Sequence, residues 1–277
     1  MTIRSSVVAP TPASAVFDDP LYARIAAMIY REAGIVLGPE KVSMMKARLL
    51  KRLSVTGAED LSDYVRGVDT GHFQGEMDHL VSALTTNFTH FFREAHHFSF
   101  LRETVFPEAR TKARNLRIWS AGCSSGQEPY SIAMTGRQAG VRMSITATDI
   151  DRAILDRAQR GVFSEADVAN IPEETLRLDF HRRAEGFEVG RTLRDMISFE
   201  QMNLHGRWQF KQPFDVIFCR NVIIYFDAQS QTRLWEKFRD QLRPGGWLLI
   251  GHSERVPDHL RDRLKPVGHT IYQYLGD

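Results

Sequence analysis

The chain has 277 residues, of which 43% are hydrophobic and 25% charged, with a net charge of +2. This composition is typical of a globular protein with one or two domains, and the nearly balanced charge argues against a general nucleic-acid-binding protein. Two cysteines do not make a disulfide framework, no apolar run reaches the roughly 18 residues of a membrane span, and the N-terminus carries no export signal, so we expect a cytoplasmic protein that does not insert into a membrane.

The first third of the chain has the apolar pattern of packed helices. Residues 1–19 are rich in Ser, Ala, Pro and Val without a period, which predicts a flexible tail. Between residues 20 and 84 apolar side chains recur at steps of three and four, which predicts helices that begin near Leu21, Val42, Leu61 and Met77. Gly34 and the Gly38-Pro39 pair separate the first two helices. The sequence therefore predicts an all-helical N-terminal domain.

After a predicted linker at residues 85–95, strands and helices alternate over residues 96–277, which is typical of a parallel sheet with crossover helices. The predicted strands are Leu116–Ala121, Ser144–Ile150, Phe214–Cys219, Trp247–Gly251 and one near Thr270–Leu275. The alternation breaks at about residues 172–200. There, Phe187–Gly190 and Leu193–Phe199 are predicted to form a small antiparallel hairpin inserted into the α/β domain.

The loop after the first predicted strand has the composition of a nucleotide-binding turn. The segment Arg117–Gly126, RIWSAGCSSG, ends in small residues and leads into a helix near Glu128, so the backbone can approach a ligand closely. The next strand ends in ITATD, which places a carboxylate at Asp149 where it can accept hydrogen bonds from ribose hydroxyls. Packing alone can also require small residues here, and Asp149 can also cap a helix that starts at Ala153. The ligand interpretation predicts an adenosine-bearing cofactor.

Four segments resemble one methyltransferase family. They are LTTNFTHFFRE (Leu84–Glu94), SAGCSSGQEPYSIA (Ser120–Ala133), FDVIFCRNVIIYFD (Phe214–Asp227) and LRPGGWLLIGHSE (Leu242–Glu254). In this order they are similar to the CheR family, the glutamate methyltransferases of chemotaxis receptors. The resemblance implies an α/β fold: a Rossmann-like S-adenosylmethionine-dependent methyltransferase sheet, with an all-helical N-terminal domain and a small inserted antiparallel β-subdomain. It further implies methyl transfer from S-adenosylmethionine to glutamate carboxylates of the receptors, with S-adenosylhomocysteine as the second product.

The resemblance also implies which residues bind the cofactor: Asn87, Thr89, Arg93, Glu128, Asp149, Asn203, Leu204, Arg220 and Asn221. Glu128, near a helix start, is placed to reach the ammonium group of the cofactor, and its alternative role is a first-turn capping acid. Asn203 and Leu204 follow a predicted strand end, where an amide and an apolar wall can hold adenine. Taken alone, they are typical loop and core residues.

Arg93 and Tyr225 are the catalytic residues that the resemblance implies. Tyr225 follows the strand Phe214–Cys219 at the carboxyl edge of the sheet, although out of context it is typical of a core aromatic residue. Arg93 would otherwise be a solvated charge at a helix end. Because glutamate is already ionised near pH 7, methyl transfer needs no general base, and we expect Arg93 to orient the carboxylate rather than to activate it.

The pair His96-His97 invites a metal interpretation. Adjacent side chains on a helix point about 100° apart, and we expect no cysteine or acidic partner at ligand spacing. The sequence therefore predicts surface or interdomain histidines and no metal cofactor.

Five cations on the second predicted helix form a candidate docking surface. Lys41, Lys46, Arg48, Lys51 and Arg52 lie within twelve residues, whereas the apolar positions of the same helix face inward. An ordinary polar helix face is the alternative. The excess of one charge sign and the family resemblance favour docking of the acidic methylation helices of a chemoreceptor.

We do not expect the protein to bind a tethering pentapeptide at a receptor C-terminus. Resemblance to tether-binding family members would imply a longer, glycine-rich loop in the inserted hairpin. Here His181–Arg191 has the sequence HRRAEGFEVGR, without an extra Gly-x-Gly. We also expect a monomer that binds no nucleic acid.

Three other functions stay open from the sequence. The chain could serve a chemosensory-like pathway that does not control chemotaxis, act as a non-catalytic cofactor-binding docking module, or methylate RNA. The set Asn87, Glu128, Asp149 and Tyr225 argues against a non-catalytic module. The pair Arg220-Asn221 stands where an RNA methyltransferase would carry an NPPY-like segment.

Overall fold

A computed structural model describes residues 18–276, which divide into two compact units. The first unit runs up to Leu84 and includes Tyr225–Asp227, and the second comprises Thr85–Ile224 and the chain from Ala228 onward. Of the predicted tail, residues 1–17 lie outside the described residues. Residues 85–95, predicted as a linker, belong to the second unit by their contacts.

The first unit contains helices α1 (Pro20–Ala33), α2 (Val42–Thr56), α3 (Leu61–Asp69) and α4 (Glu76–Leu84). Asp19 caps α1 by accepting a hydrogen bond from the Leu21 amide, and Gly34 ends the helix with a φ of 72°. The spacing of apolar residues in the sequence corresponds to the buried faces, which include Ile25, Met28, Ile29, Met45, Leu49, Val65, Leu80 and Leu84.

A partly buried ion pair, with a tyrosine beside it, joins three of these helices. The carboxylate of Glu76 accepts hydrogen bonds from Arg52 Nε at 2.7 Å, from Arg52 Nη2 at 2.9 Å and from the Tyr64 hydroxyl at 2.9 Å. Arg48 Nη1 donates to the carbonyl of Ala83 at 3.1 Å. Arg52 and Arg48 thus join helices of this unit, and the docking role predicted for the surface stays a prediction.

The second unit is built on two sheets. In chain order, its strands are β1 (Leu116–Ala121), β2 (Met143–Asp149), β3 (Val162–Phe163), β4 (Phe180–Arg183), β5 (Gly186–Val189), β6 (Ile197–Gln201), β7 (Phe214–Cys219), β8 (Leu242–Ile250), β9 (Leu264–Gly268) and β10 (Ile271–Tyr274). The larger sheet has the order β6-β2-β1-β7-β8-β10-β9, and β10 is antiparallel to both of its neighbours while the other pairs are parallel. The small sheet has the order β3-β5-β4.

Helices connect these strands. They are α5 (His96–Phe100), α6 (Phe106–Thr111), α7 (Gln127–Gln138), α8 (Arg152–Arg160), α9 (Glu165–Val168), α10 (Glu173–Asp179), α11 (Arg191–Arg194) and α12 (Ala228–Asp240), and a π-helical turn at Leu101–Val105 joins α5 to α6. All six residues of β7 are buried, as expected for a central strand of a covered parallel sheet. Among the described helices, none combines the length and apolar character that crossing a membrane requires.

The inserted antiparallel sheet differs from the predicted hairpin. β5 pairs with β4 and with β3, so the inserted sheet begins before residue 172. The segment predicted as the second arm splits instead into α11 and β6, and β6 extends the large sheet parallel to β2. Three of the four residues in β4 are exposed and polar, so this strand carries almost none of the apolar signal on which the prediction depended.

Candidate functional site

The loops after β1 and β7 lie against each other where the order of the large sheet reverses. The loop after β1 has positive φ at Gly122 (78°), Ser124 (50°) and Gly126 (96°). A Cβ on Gly122 would lie 2.4 Å from Val222 Cγ2, so the approach of the second loop requires glycine here. Open α/β sheets bind ligands at such a reversal, which makes this crevice the candidate site.

Asp149 ends β2 beside this loop. Its Oδ2 accepts a hydrogen bond from the Ser124 amide at 2.8 Å, and its Oδ1 accepts one from the Asp151 amide at 3.0 Å. Burial raises the pKa of Asp149 to about 6. The alternative role as a helix cap belongs to Asp151, which accepts from the Ile154 amide at 3.2 Å. Each oxygen of Asp149 has a further lone pair, so the carboxylate can still accept from ribose hydroxyls.

The segment that precedes α5 packs against the same loop. Asn87 Nδ2 donates to Asp151 Oδ2 at 3.0 Å, and the Ser124 hydroxyl donates to the Asn87 carbonyl at 3.3 Å. Thr89 is two residues further along and partly accessible. The structure thus brings Asn87 and Asp149 to one loop, although they are 62 positions apart in the sequence.

Glu128, in the first turn of α7, and Arg220, directly after β7, form a buried ion pair. Glu128 Oε2 accepts from Arg220 Nε at 2.6 Å, and Glu128 Oε1 accepts from the Ser120 hydroxyl at 2.6 Å. The side chain of Arg220 is only 2% exposed. Glu128 therefore pairs with Arg220 instead of capping the helix, and the contact of Arg220 with the cofactor stays a prediction.

The loop after β7 is fixed by a carboxylate that the sequence did not assign to the site. Glu254, buried beyond the end of β8, accepts hydrogen bonds from the amides of Gly251, Asn221, Val222 and Ile223 at 2.6–3.0 Å. Burial raises the pKa of Glu254, and the four amide donors oppose the rise. Asn221 has a φ of 59° and a buried Oδ1 without a hydrogen-bond partner in the described chain. An acidic residue just after a buried strand was the available signal for Glu254.

We expect Glu254→Gln to lower the free energy of unfolding by about 2–3 kcal/mol, because the amide NH2 group replaces a charged acceptor among four N–H donors. Denaturant unfolding of the purified variant measures the change. Glu200→Gln, at an exposed position on β6, is the matched control and should unfold like the wild type. Equal stability of the two variants would show that Glu254 does not fix the loop.

The side chain of Arg93 contacts Phe88, five residues earlier in the same segment. Its Nη1 donates to the Phe88 carbonyl at 3.0 Å, and the guanidinium carbon lies 5.9 Å from the centroid of the Phe88 ring, which is 74% exposed. Tyr225 ends the turn Ile223–Tyr225, and its carbonyl accepts from the Val36 amide within the first unit. The catalytic roles of Arg93 and Tyr225 stay predictions.

Asn203 and Leu204, the two residues predicted to hold adenine, lie in the loop after β6. Leu204 is buried, and Asn203 Oδ1 accepts from the His205 amide at 2.9 Å. The ammonium of Lys237 donates to the Leu204 carbonyl at 2.9 Å and lies 3.9 Å from the centroid of the Trp208 ring. Burial lowers the pKa of Lys237 to about 8. Lys237, which the sequence did not assign to the site, thus fixes the loop that carries Asn203 and Leu204.

The expectation about His96 and His97 needs a correction. The ligand atoms of both histidines and the carboxylate of Glu94 lie within 4.8 Å of one another, so an acidic neighbour is present, and His97 is completely buried rather than at the surface. Arg220 Nη1 lies 3.4 Å from His97 Nδ1. Since a guanidinium at that nitrogen repels a cation, the arrangement does not favour a metal ion.

The donor set of the crevice fits an adenosylated amino acid. Asp149 suits ribose hydroxyls, Glu128 suits an ammonium group, and Leu204 suits the face of a base. The unsatisfied Oδ1 of Asn221 is an acceptor that a ligand donor would complete. The site therefore has the groups that S-adenosylmethionine requires.

Comparisons with known proteins identify two family domains. The family described as CheR methyltransferase, SAM binding domain, matches residues 87–273, and the family described as CheR methyltransferase, all-alpha domain, matches residues 20–85.

Similar proteins cover nearly the whole chain. A probable chemotaxis protein methyltransferase of Rhizobium etli is 40% identical over 260 residues, which are 89% of this chain and 97% of the relative. The chemotaxis protein methyltransferase of Escherichia coli is 37% identical over 270 residues, 94% of this chain and 92% of the relative. With both domains matched as well, the chain belongs to the CheR family of S-adenosylmethionine-dependent methyltransferases, which confirms the family, the fold class and the cofactor inferred from the sequence.

Proposed function

We propose that this methyltransferase converts glutamate side chains on the cytoplasmic methylation helices of chemoreceptors into methyl esters. The observation that carries the proposal is the crevice of a CheR-family sheet in which Glu128 and Asp149 are held by separate hydrogen-bond sets. The relatives in Rhizobium etli and Escherichia coli bear the name chemotaxis protein methyltransferase. A cytoplasmic location follows from the proposed substrate, and we propose that the protein acts as a monomer.

In the proposed complex, each residue of the crevice has a separate task. Asp149 accepts from the ribose, Glu128 and Asn221 face the ammonium group, and Asn203 and Leu204 hold adenine. Asn87 and Thr89 lie in the segment that packs against the loop after β1. Arg220 holds the carboxylate of Glu128. When bound, S-adenosylmethionine supplies a methyl group on a positively charged sulfur.

Arg93 is proposed to orient the incoming glutamate. Its hydrogen bond to Phe88 fixes the side chain and uses one of its five N–H groups, so donors are left for a carboxylate. Alignment of the reacting atoms contributes about 7–11 kcal/mol in favourable cases, whereas an ionised glutamate needs no base. We propose a catalytic role for Tyr225 from the family resemblance alone.

Incubation with methyl-labelled cofactor and membranes that carry candidate receptors tests the function. We expect label on the receptor that alkali releases as volatile methanol, because esters hydrolyse in base. Receptors with the methylation glutamates replaced by alanine should stay unlabelled. Label that resists alkali, or the absence of transfer to every receptor of the organism, would contradict the proposal.

Helix α2 and the residue before it offer a smaller docking surface than the sequence predicted. Lys41, Lys46 and Lys51 are exposed, and Leu50, 48% exposed, lies between the last two. Cations around an apolar residue suit an acidic amphipathic helix. We propose that Lys46, Leu50 and Lys51 contact the methylation helix.

Replacing Lys46 and Lys51 together by glutamine is expected to raise the KM for the receptor about three- to tenfold at low ionic strength and to flatten its salt dependence, because exposed charges mainly steer association. Initial methylation rates at several salt concentrations measure both effects. Lys211→Gln with Lys265→Gln removes the same charge from exposed positions of the other unit. If this control pair raises KM as much, α2 has no specific part in docking.

We propose recognition without a C-terminal pentapeptide, because the turn between β4 and β5 consists of only Ala184 and Glu185. Calorimetric titration of the protein with peptides that end like the candidate receptors should give no saturable heat. A Kd below about 10 μM would contradict this expectation.

A further inference from the structure

His97 is a completely buried histidine that the proposed chemistry does not use. Its Nε2 lies 2.9 Å from the Thr270 hydroxyl oxygen, and its Nδ1 lies 3.4 Å from Arg220 Nη1. The neighbouring His96 reaches the same hydroxyl at 3.2 Å. His97 therefore stands between the turn after β9 and the buried arginine of the crevice.

These partners define one tautomer of His97. A guanidinium has only N–H donors, so the Nδ1 atom that faces Arg220 must be the unprotonated acceptor and Nε2 must carry the hydrogen. The Thr270 hydroxyl donates to the His269 carbonyl at 2.7 Å, which leaves its oxygen to accept from Nε2. Glu94 Oε2, at 3.8 Å, is too distant from Nδ1 to accept a hydrogen bond. Burial, Arg220, His96 and His269 lower the pKa of His97 to about 2, so the ring is neutral.

Thr270 is held in an unfavourable backbone conformation. Its φ is 58°, where a β-branched residue is rare and typically costs about 1–3 kcal/mol. The residue follows Gly268 and His269 in the turn between β9 and β10, a place where glycine or asparagine would be easier to accommodate. The Thr270 hydroxyl contacts His97, which a glycine at this position could not do.

Arg220 connects His97 to the proposed cofactor site. Its guanidinium donates to the Arg93 carbonyl and to Glu128, and lies 5.7 Å and 5.8 Å from the ring centroids of Phe98 and Phe218. The Nη1 atom of Arg220, which donates to the Arg93 carbonyl, also faces His97 Nδ1. A fixed guanidinium in turn fixes the carboxylate that it holds.

We propose that His97 is a positioning residue for methyl transfer: as the Nε2–H tautomer set by Thr270, it holds Arg220 so that Glu128 is oriented toward the ammonium group of the cofactor. The inference rests on the proposed role of Glu128. His97 and Thr270 do not touch the cofactor in this account, and they act through the ion pair.

Calorimetric titration with S-adenosylhomocysteine tests the proposal in the full-length protein. His97→Leu and Thr270→Val should each weaken binding about tenfold, because the first removes the acceptor that faces Arg220 Nη1 and the second removes the hydroxyl that sets the His97 tautomer, while Thr270→Ser keeps the hydroxyl and should bind like the wild type. His96→Leu is the matched control, since His96 reaches the same hydroxyl without touching Arg220, and its affinity should stay within about twofold of the wild type.

Glu128→Gln separates this inference from the proposed function. Weak binding by Glu128→Gln together with normal binding by His97→Leu and Thr270→Val would overturn the role of His97 alone. Normal binding by Glu128→Gln would overturn the ammonium site and this inference with it. If His97→Leu does not fold, Thr270→Val and Thr270→Ser still decide the question.

Long-range proton–nitrogen NMR of the wild type gives a readout that does not depend on a variant. The spectra should show His97 protonated at Nε2 only, without titration between about pH 5 and pH 8. Protonation at Nδ1, or an imidazolium in that range, would overturn the proposal, because neither form can accept from Arg220.

Discussion

Replacing Arg220 with methionine is expected to lower the free energy of unfolding by about 3–5 kcal/mol, which is the largest effect that we predict for a single side chain. The change leaves the Glu128 carboxylate buried with only the Ser120 hydroxyl as a partner. Removing one member of a buried ion pair is costly because the remaining charge has lost both water and its counterion. Urea unfolding at neutral pH measures the difference.

Two further variants show whether the cause is the uncompensated charge. Combining Arg220→Met with Glu128→Gln should recover part of the loss, since no buried charge then remains. Arg182→Met breaks an ion pair with Glu165 in which both side chains are more than 70% exposed, and it should change stability little. If the double variant is no more stable than Arg220→Met alone, lost packing on Phe98 and Phe218 explains the effect instead.

Asp149→Asn is expected to weaken cofactor binding about 100-fold. The asparagine keeps the size of the side chain but offers one acceptor in place of two charged ones, and hydrogen bonds to charged groups contribute about 1.5–3 kcal/mol each. Titration with S-adenosylmethionine by calorimetry measures the loss. Asp156→Asn, at an exposed position on α8, is the control and should bind normally.

The raised pKa of Asp149 also predicts a pH dependence. The ionised form accepts both ribose hydroxyls, so affinity should increase as pH rises from about 5 to 7, through the pKa of about 6, and Asp149→Asn should abolish this increase. The free energy of unfolding has the opposite trend. Between about pH 4 and pH 6 the folded protein keeps a proton on Asp149 that the unfolded chain has released. The Asp149 contribution to the free energy of unfolding therefore falls as pH rises from about 4 to about 6. An affinity of the wild type that does not change across this range would contradict the role of Asp149.

The sequence predicted the elements that carry strong local signals. β1 and β7 have the predicted bounds because each is a short apolar run between polar or small residues, and burial in a parallel sheet requires such a run. The helices of the first unit follow from apolar spacing. Asp149 could be proposed as a ribose partner because a carboxylate at a strand end has a chemical meaning by itself.

Local sequence patterns did not predict the contacts of side chains whose partners lie far away in the sequence. Arg52 has the local pattern of an exposed basic residue, but it forms an ion pair with the buried Glu76, 24 positions away. The ion pair of Arg220 with Glu128, 92 positions earlier in the chain, was not predicted. Glu254 accepts from amides of a loop more than 30 positions earlier, and backbone donors leave no trace in the residue pattern.

A crystal structure of the complex with S-adenosylhomocysteine would show which residues of the crevice bind the cofactor. We predict that both ribose hydroxyls lie within hydrogen-bond distance of the Asp149 carboxylate, that the amino group contacts Glu128, and that Asn221 Oδ1 gains a donor. A bound product whose ribose contacts other groups and whose amino group is distant from Glu128 would contradict the assignment of the crevice.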